Sequence, residues 1–245
     1  MAMPPLSLSV IIPAYNEERR LRATLEAASA YLSGTPWDWE IRVVDDGSTD
    51  GTRRIVEDFI QREPRVVLQL EPHRGKGGAL KAALLSTTKA YRLMCDADLS
   101  VPIHEAARFL PPLLAGVDVA IGTREGAGAR RVGEPLVRHL AGRVFNFAVR
   151  LLVVPDIQDT QCGFKMFTAA AAEAIFPCVT VDGWAFDTEA LHIARARGLR
   201  IREIPIEWHY RPDSRVRMFR DGADMFAELW RIRRRARRGA YAELH

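Results

Sequence analysis

Short apolar runs alternate with segments of helical period through the first hundred residues, and each run ends in polar residues. Leu8-Ser9-Val10-Ile11-Ile12-Pro13 is β-branched and closed by proline. Asn16 and Glu17 then open a predicted helix carrying Leu21, Leu25, Ala28 and Leu32. Glu40 to Val44 gives a second strand, and Asp50-Gly51-Thr52 caps a helix with Ile55, Val56 and Phe59 on one side. Val66 to Leu70 is a third strand; the helix after Gly75-Lys76-Gly77-Gly78 holds Leu80, Leu84 and Leu85; Tyr91 to Cys95 is a fourth strand. Strands that are apolar throughout, separated by helices, predict a mostly parallel sheet covered on both faces. Ligands of such sheets bind beyond the carboxyl ends of the strands. That rule singles out residues 13–17, 45–48 and 96–100.

Beyond residue 115 the pattern loosens. Val117 to Gly122 reads as a strand, 125–133 as a Gly- and Arg-rich loop, 135–152 as a helix, 202–208 as a strand, and 221–238 as a helix that becomes strongly basic. The chain of 245 residues suffices for one large domain or two small ones. Three cysteines without CxxC spacing argue against a disulfide framework and a zinc site. A net charge of +4, concentrated in late arginines, points to anionic partners. No stretch approaches the roughly 20 apolar residues of a membrane span, and no signal peptide is evident. Cytoplasmic placement, with peripheral docking through residues 216–245, is the expectation.

Asp96-Ala97-Asp98 places two carboxylates just past an apolar strand. Carboxylates so placed suit Mg²⁺ or Mn²⁺, which commonly bridges to nucleotide phosphates. Asp45-Asp46 ends another strand, and such a convergence is costly without a compensating cation or donors. Gly75-Lys76-Gly77-Gly78 lacks the GxxxxGK[ST] spacing of a phosphate-binding loop, yet it precedes a helix whose free N–H groups attract anions.

Val10 to Glu17, Val43 to Thr52, Arg74 to Ala79, Asp96-Ala97-Asp98, Gly122-Thr123-Arg124, Asp159 to Lys165 and Asp182 to Asp187 together resemble the ordered motifs of family-2 inverting glycosyltransferases. The order resembles the dolichyl/polyprenyl-phosphate β-glucosyltransferase-like branch, over nearly all of residues 8 to 215. The resemblance implies an α/β GT-A fold over residues 1–215, with a donor half to about 122 and an acceptor half from about 123, followed by a basic helical tail. It implies a nucleotide-sugar donor, UDP-glucose, held by Pro13, Ala14, Tyr15, Glu17, Asp45, Asp46, Lys76, Asp96, Ala97 and Asp98, with Asp96 and Asp98 at the metal; glycosyl or mannosyl transfer from another UDP- or GDP-sugar to a hydroxyl is the alternative. It implies a polyprenyl-phosphate acceptor whose phosphate meets Arg124, Arg138, Arg211 and Arg215, with Arg131 and Arg143 as alternatives to Arg138. Asp98, Asp187, Arg124 and Arg211 would carry the chemistry. An ionised phosphate needs no general base, whereas a hydroxyl acceptor would need one near Asp187 or Glu189. Asp159 and Gln161 either touch the sugar or support their loop, and Trp184 either stacks on the sugar or joins the core. Ser100 stands where related mannosyl enzymes carry Gln. A basic nucleic-acid-binding module is the rival from another class, but the arginines lack interleaved aromatics and no binding module is recognisable, so no nucleic acid is expected. A nucleotidyltransferase would need a phosphate-cradling loop where residues 13–17 stand.

Overall fold

The computed structural model describes residues 5–211 and 218–241, with side chains left undescribed at a few positions of 136–145 and over 218–224. The strands are β1 (Ser7–Ala14), β2 (Asp38–Asp46), β3 (Val66–Glu71), β4 (Tyr91–Met94), β5 (Val119–Thr123), β6 (Arg130–Val132), β7 (Lys165–Thr168), β8 (Ile201–Pro205) and β9 (Glu207–His209). The helices are α1 (Leu21–Ser33), α2 (Thr52–Ile60), α3 (Lys76–Ser86), α4 (Leu136–Leu152), α5 (Ala169–Ile175), α6 (Phe186–Ala196) and α7 (Met218–Arg237), with a 3-10 segment at Ile103–Phe109.

Seven strands form one sheet in the order β3-β2-β1-β4-β7-β5-β8, and β6 and β9 pair separately. All pairs in the large sheet are parallel except those of β7, which runs antiparallel to both β4 and β5. The period-2 alternation of a strand explains why β1 is buried on both sides. Leu8, Val10 and Ile12 enter one core layer with Leu21, Leu25, Phe109 and Phe164. Ile11 enters the opposite layer with Leu80, Leu84, Phe176, Phe186 and Leu229.

Register fixes where the loops meet. Ala14 lies opposite Asp45, and Ile11 lies opposite Met94. The carboxyl ends of β1, β2 and β4 therefore share one edge. Because β7 is reversed, its first residue, Lys165, pairs with both Met94 and Ile121 at that same edge.

Several expectations need correction. The helix expected from Asn16 begins at Leu21, because Asn16 has a left-handed φ of 52° and breaks the turn. The strand expected over 202–208 is two strands in different sheets, parting at Ile206, whose N–H donates to the Thr123 carbonyl. The loop expected over 125–133 contains β6. β7, from the second half of the chain, lies between β4 and β5. The C-terminal helix packs on the core: Leu229 and Ile232 are fully buried, and the Tyr241 hydroxyl donates to Glu189 Oε1 at 2.6 Å.

Candidate active site

The β1 and β2 loops are tied by the residue that breaks the expected helix. Asn16 Oδ1 accepts from the N–H groups of Thr49 (2.7 Å) and Asp50 (3.3 Å), and the Asn16 N–H donates to Ser48 Oγ at 2.8 Å. Asp50 in turn accepts from the Thr52 N–H at 3.0 Å, capping α2 from just outside its first turn. Pro13 is half-buried and Ala14 buried at the end of β1. Tyr15 follows and stacks on His73 at 4.2 Å between ring centroids.

Asp45 and Asp46, expected at the base and ribose, turn inward. Asp45 is fully buried; both its oxygens accept from the Ser48 N–H at 3.2 Å, and Oδ2 also accepts from Arg53 Nε at 2.7 Å. Asp46 accepts from the N–H groups of Arg74 and Gly75, 2.9 and 3.0 Å away, and contacts His73 Nδ1 at 2.9 Å. Each carboxylate organises the loop that donates to it.

The glycine-rich turn before α3 also departs from expectation. Its N–H groups are not free for an anion: those of Gly77 and Gly78 donate to the Asp182 carbonyl at 2.8 and 3.3 Å. The approach needs glycine, since a Cβ on Gly77 would stand 2.7 Å from the Val181 carbonyl. The charge of this turn lies instead in Lys76. Its Nζ meets Asp96 Oδ1 at 2.6 Å and lies 5.6 Å from the half-buried Trp184 ring. Burial disfavours the ammonium, but Asp96, Asp187 and Asp98 outweigh it and hold the Lys76 pKa above the usual value.

Asp96 and Asp98 differ in their surroundings. Burial alone would raise the Asp96 carboxyl; Lys76, Lys165 and Arg124 bring it below the usual range. A Cβ on Gly163 would fall 2.0 Å from Asp96 Oδ2, so this carboxylate is seated directly on a glycine. Asp98 Oδ1 accepts from the Ser100 N–H at 2.9 Å, while Oδ2 has the Arg20 guanidinium at 3.8 Å. Between Asp98 and Ser100, Leu99 holds a left-handed φ of 45°, a strain of the kind that clusters at functional turns. Thr24 Oγ1 donates to the Ala97 carbonyl at 2.6 Å, anchoring the turn on α1. Arg20 also grips the buried Glu17 carboxylate and so links the β1 loop to the Asp98 turn.

Among the described residues no group of three or more acidic, His or Cys side chains could hold a metal by itself. The donor set suits a hard cation that takes one carboxylate oxygen from the protein and the rest from phosphate and water. Asp98 Oδ2 fits that role; Asp96, whose Oδ1 is engaged by Lys76 at 2.6 Å, fits it less well.

Asp187, expected to carry chemistry, is 4% exposed, and its Oδ1 meets the fully buried Lys165 Nζ at 2.7 Å. Burial raises its pKa; Lys165 and Lys76 only partly oppose this. Lys165 is held further by the Cys162 carbonyl at 2.5 Å. Glu189 is fully buried and accepts from the Thr180 and Val181 N–H groups at 2.7 and 2.8 Å, so it pins a loop.

The arginines expected at an acceptor phosphate separate. Arg124 makes a two-pronged pair with Asp159, Nε–Oδ2 2.7 Å and Nη2–Oδ1 2.8 Å, and its own N–H also donates to Oδ2. Burial opposes both charges, yet the pairing wins: Arg124 is raised and Asp159 lowered to about 2. Asp159 thus supports its loop, and Arg124 is committed to it. Arg131 is spent on Glu125 and Glu134, each at 2.6 Å. Gln161 reaches Thr188 Oγ1 at 3.4 Å. Arg211 is exposed. Arg215 and the side chain of Arg138 lie outside the described residues.

Sequence reasoning gave no role to Arg20, Gly163 or Lys165 by name and took Asn16 only as a helix opener. Gly163 and Lys165 lie in the quoted Asp159–Lys165 motif, whose Gly-x-Lys is the signal that was available; Arg20 sits one helical turn after Glu17.

Known proteins carry the same plan. The model of "Glycosyl transferase family 2" matches residues 9–176. The dolichyl-phosphate β-glucosyltransferase of Dictyostelium discoideum is 34% identical over 92% of this chain and 73% of its own length. The human protein of that name is 34% identical over 97% and 78%. Among solved structures, mannosyl-3-phosphoglycerate synthase from Rubrobacter xylanophilus superposes with a TM-score of 0.69 at 20% identity, covering 98% of this chain and 77% of that one. Glucosyl-3-phosphoglycerate synthase from Mycobacterium tuberculosis, in complex with Mn²⁺, UDP and glucosyl-3-phosphoglycerate, gives 0.67 at 20%, covering 93% and 80%. The fold is GT-A, and the chain belongs to glycosyl transferase family 2.

Proposed function

We propose that this glycosyltransferase moves glucose from UDP-glucose to a polyprenyl phosphate with inversion, using Mg²⁺ or Mn²⁺. The observation that carries the reading is the pairing of Lys76 with the Asp96–Asp98 turn at the carboxyl edge of the sheet. The names of the relatives support glucose and a polyprenyl phosphate over other pairings.

The donor lies along the edge formed by Pro13, Ala14, Tyr15 and Glu17, in a frame that Asp45 and Asp46 brace. Lys76 leans toward the diphosphate, and Asp98 Oδ2 offers the ligand oxygen for the cation. When bound, the divalent ion supplies Lewis-acid neutralisation of the departing diphosphate. Lys76 adds a fixed positive charge where negative charge develops. An oxygen of the acceptor phosphate attacks the anomeric carbon from the face opposite the leaving group. The bond from that carbon to the diphosphate oxygen breaks, and its electrons leave with UDP. No proton moves, because a phosphomonoester is already ionised near neutral pH. The sequestration of Asp187 against Lys165 supports this choice over a hydroxyl acceptor, which would need a free base. The outward cluster of Trp230, Arg233, Arg234, Arg237 and Arg238, lining a cleft of about 330 Å³, supports peripheral docking on an anionic membrane. Among the described residues no helix is long and apolar enough to cross one.

The test is transfer from UDP-glucose to polyprenyl phosphate with Mn²⁺, with GDP-mannose and 3-phosphoglycerate as comparison donor and acceptor. A β-linked glucosyl lipid phosphate is expected. Reaction of another pair while this one stays inert would overturn the assignment.

A further inference from the structure

Each carboxylate of the Asp96–Asp98 turn faces a cation of its own. Lys76 Nζ stands 2.6 Å from Asp96 Oδ1, and Arg20 Nη1 stands 3.8 Å from Asp98 Oδ2. The first distance is a charge-assisted hydrogen bond. The second is too long for one and leaves a Coulombic contact. Lys76 acts on the departing diphosphate, whereas Arg20 takes no part in the transfer itself.

Arg20 is fixed from two sides. Its Nε and Nη2 fork onto the Glu17 carboxylate, which is 8% exposed. A planar guanidinium with two corners held has its third corner, Nη1, held as well. The facing carboxylate is tied to the same helix end. α1 begins at the residue after Arg20, and Thr24 Oγ1, one turn in, donates to the Ala97 carbonyl at 2.6 Å. The Ser100 N–H engages Asp98 Oδ1 at 2.9 Å, so Oδ2 is the oxygen left toward Arg20. The gap between guanidinium and carboxylate is thus set by the fold on both of its sides.

That gap bears on the cation that Asp98 Oδ2 suits. An ion ligated at about 2.1 Å lies within about 6 Å of Nη1, on whichever side of Oδ2 it sits. That is less than a Debye length at physiological salt, so screening is incomplete. Glu17, Asp96 and Asp98 together outnumber Arg20 and Lys76 by one charge. The neighbouring Lys165–Asp187 and Arg124–Asp159 pairs cancel internally. A divalent ion arriving alone therefore meets a weak attraction and one like charge held in place. A nucleoside diphosphate adds several negative charges and further oxygen ligands, and so reverses that balance.

We propose that Arg20 is a positioning residue that makes metal loading depend on the nucleotide. It offsets Asp98 in place of the ion, opposes a divalent cation arriving alone, and is outweighed when a diphosphate is present. The inference rests on the nucleotide-sugar reading above.

Metal binding, read without turnover, tests it. Mn²⁺ is titrated into the full chain at low salt, alone and with saturating UDP or GDP, by calorimetry and by loss of the free-ion EPR signal. Wild type is expected to bind Mn²⁺ more weakly alone than with UDP, by about tenfold or more. Arg20→Gln should bind Mn²⁺ alone about tenfold more tightly than wild type, the effect of removing one charge about 6 Å from a dication in water. Arg20→Lys keeps the charge and should stay within about threefold of wild type. Adding Asp98→Asn to Arg20→Gln should abolish the gain, which locates it at Asp98. A residue that only braced the loops would weaken Mn²⁺ binding on removal, so a gain is the distinguishing sign. Thermal midpoints verify folding. Where Arg20→Gln unfolds by stranding Glu17, the double variant Glu17→Gln/Arg20→Gln, set against Glu17→Gln, gives the same comparison. No gain on removing Arg20, or a wild type whose Mn²⁺ affinity neither diphosphate changes, overturns the inference. A gain in a chain whose Mn²⁺ affinity rises with GDP and not with UDP upholds the inference and sinks the UDP-glucose reading.

Discussion

Replacing Gly163 with alanine tests the donor corner with a single methyl group. The added Cβ would stand 2.0 Å from Asp96 Oδ2 and 2.5 Å from its Cγ, where ordinary contact begins near 3.4 Å. Relieving the clash requires the carboxylate to retreat by about 1.4 Å, the difference between 2.0 and 3.4 Å. Asp96 then loses its present seat and, with it, the 2.6 Å contact that aims Lys76. A displacement of about 1 Å in a catalytic constellation costs on the order of 10²-fold, or about 2.7 kcal/mol in the barrier. Gly163 is not among the glycines with positive φ, so alanine meets no backbone strain and the fold should survive. The assay is kcat/KM for sugar transfer, with UDP affinity and thermal midpoint measured on the same sample. A fall of about 10²-fold with the midpoint within a few degrees is expected. A variant with kcat/KM within about threefold of wild type would refute the idea that the seat of Asp96 sets the donor geometry.

Asp98→Asn removes the charge that suits a cation; UDP affinity with Mn²⁺ should fall by about tenfold or more, while metal-free UDP binding changes little, by calorimetry. Asp159→Asn strands the buried Arg124 charge, so urea unfolding at pH 7 should report a loss of about 3–5 kcal/mol. The same carboxyl is depressed from 3.8 to about 2, so its roughly 2 kcal/mol is fully present above pH 4 and fades as pH falls toward 2; acid titration of stability should be correspondingly flatter in Asp159→Asn. Tyr241→Phe leaves Glu189 short of a buried donor and should lower stability by about 1–3 kcal/mol in the same urea assay.

The fold was legible where periodicity was strong. Leu8 to Pro13, Glu40 to Val44, Val66 to Leu70 and Tyr91 to Cys95 are the parallel strands, because runs apolar on both sides have few other places to go. The second half was not legible in the same way. β7 is four residues long, and its alternation is hidden by a lysine that pairs internally with Asp187. Residues 202–208 alternate like one strand, yet they serve two sheets. At the site, chain order located the three converging loops, and residue type identified Asp98 as a cation ligand candidate. What residue type could not convey was direction. Asp45, Asp46 and Arg124 read as ligand-facing groups, but each is paired within the protein, and the partners of Asp46 and Arg124, 27 and 35 residues away, leave no local mark. Asn16 was misread for a related reason: its side chain bonds across to Thr49 and Asp50, an option that competes with helix formation.

The reversed strand has a consequence for how this polypeptide can be divided. A piece stopping at residue 122 would leave the flank of β4 bare, with Arg92 and Leu93 lacking the Phe167 and Met166 that they pair against. Bare flanks of that kind recruit strands from other molecules. The two parts of the chain on either side of residue 122 are therefore not modules to be swapped between relatives; a workable chimaera must carry residues 159–168 along with everything before residue 100.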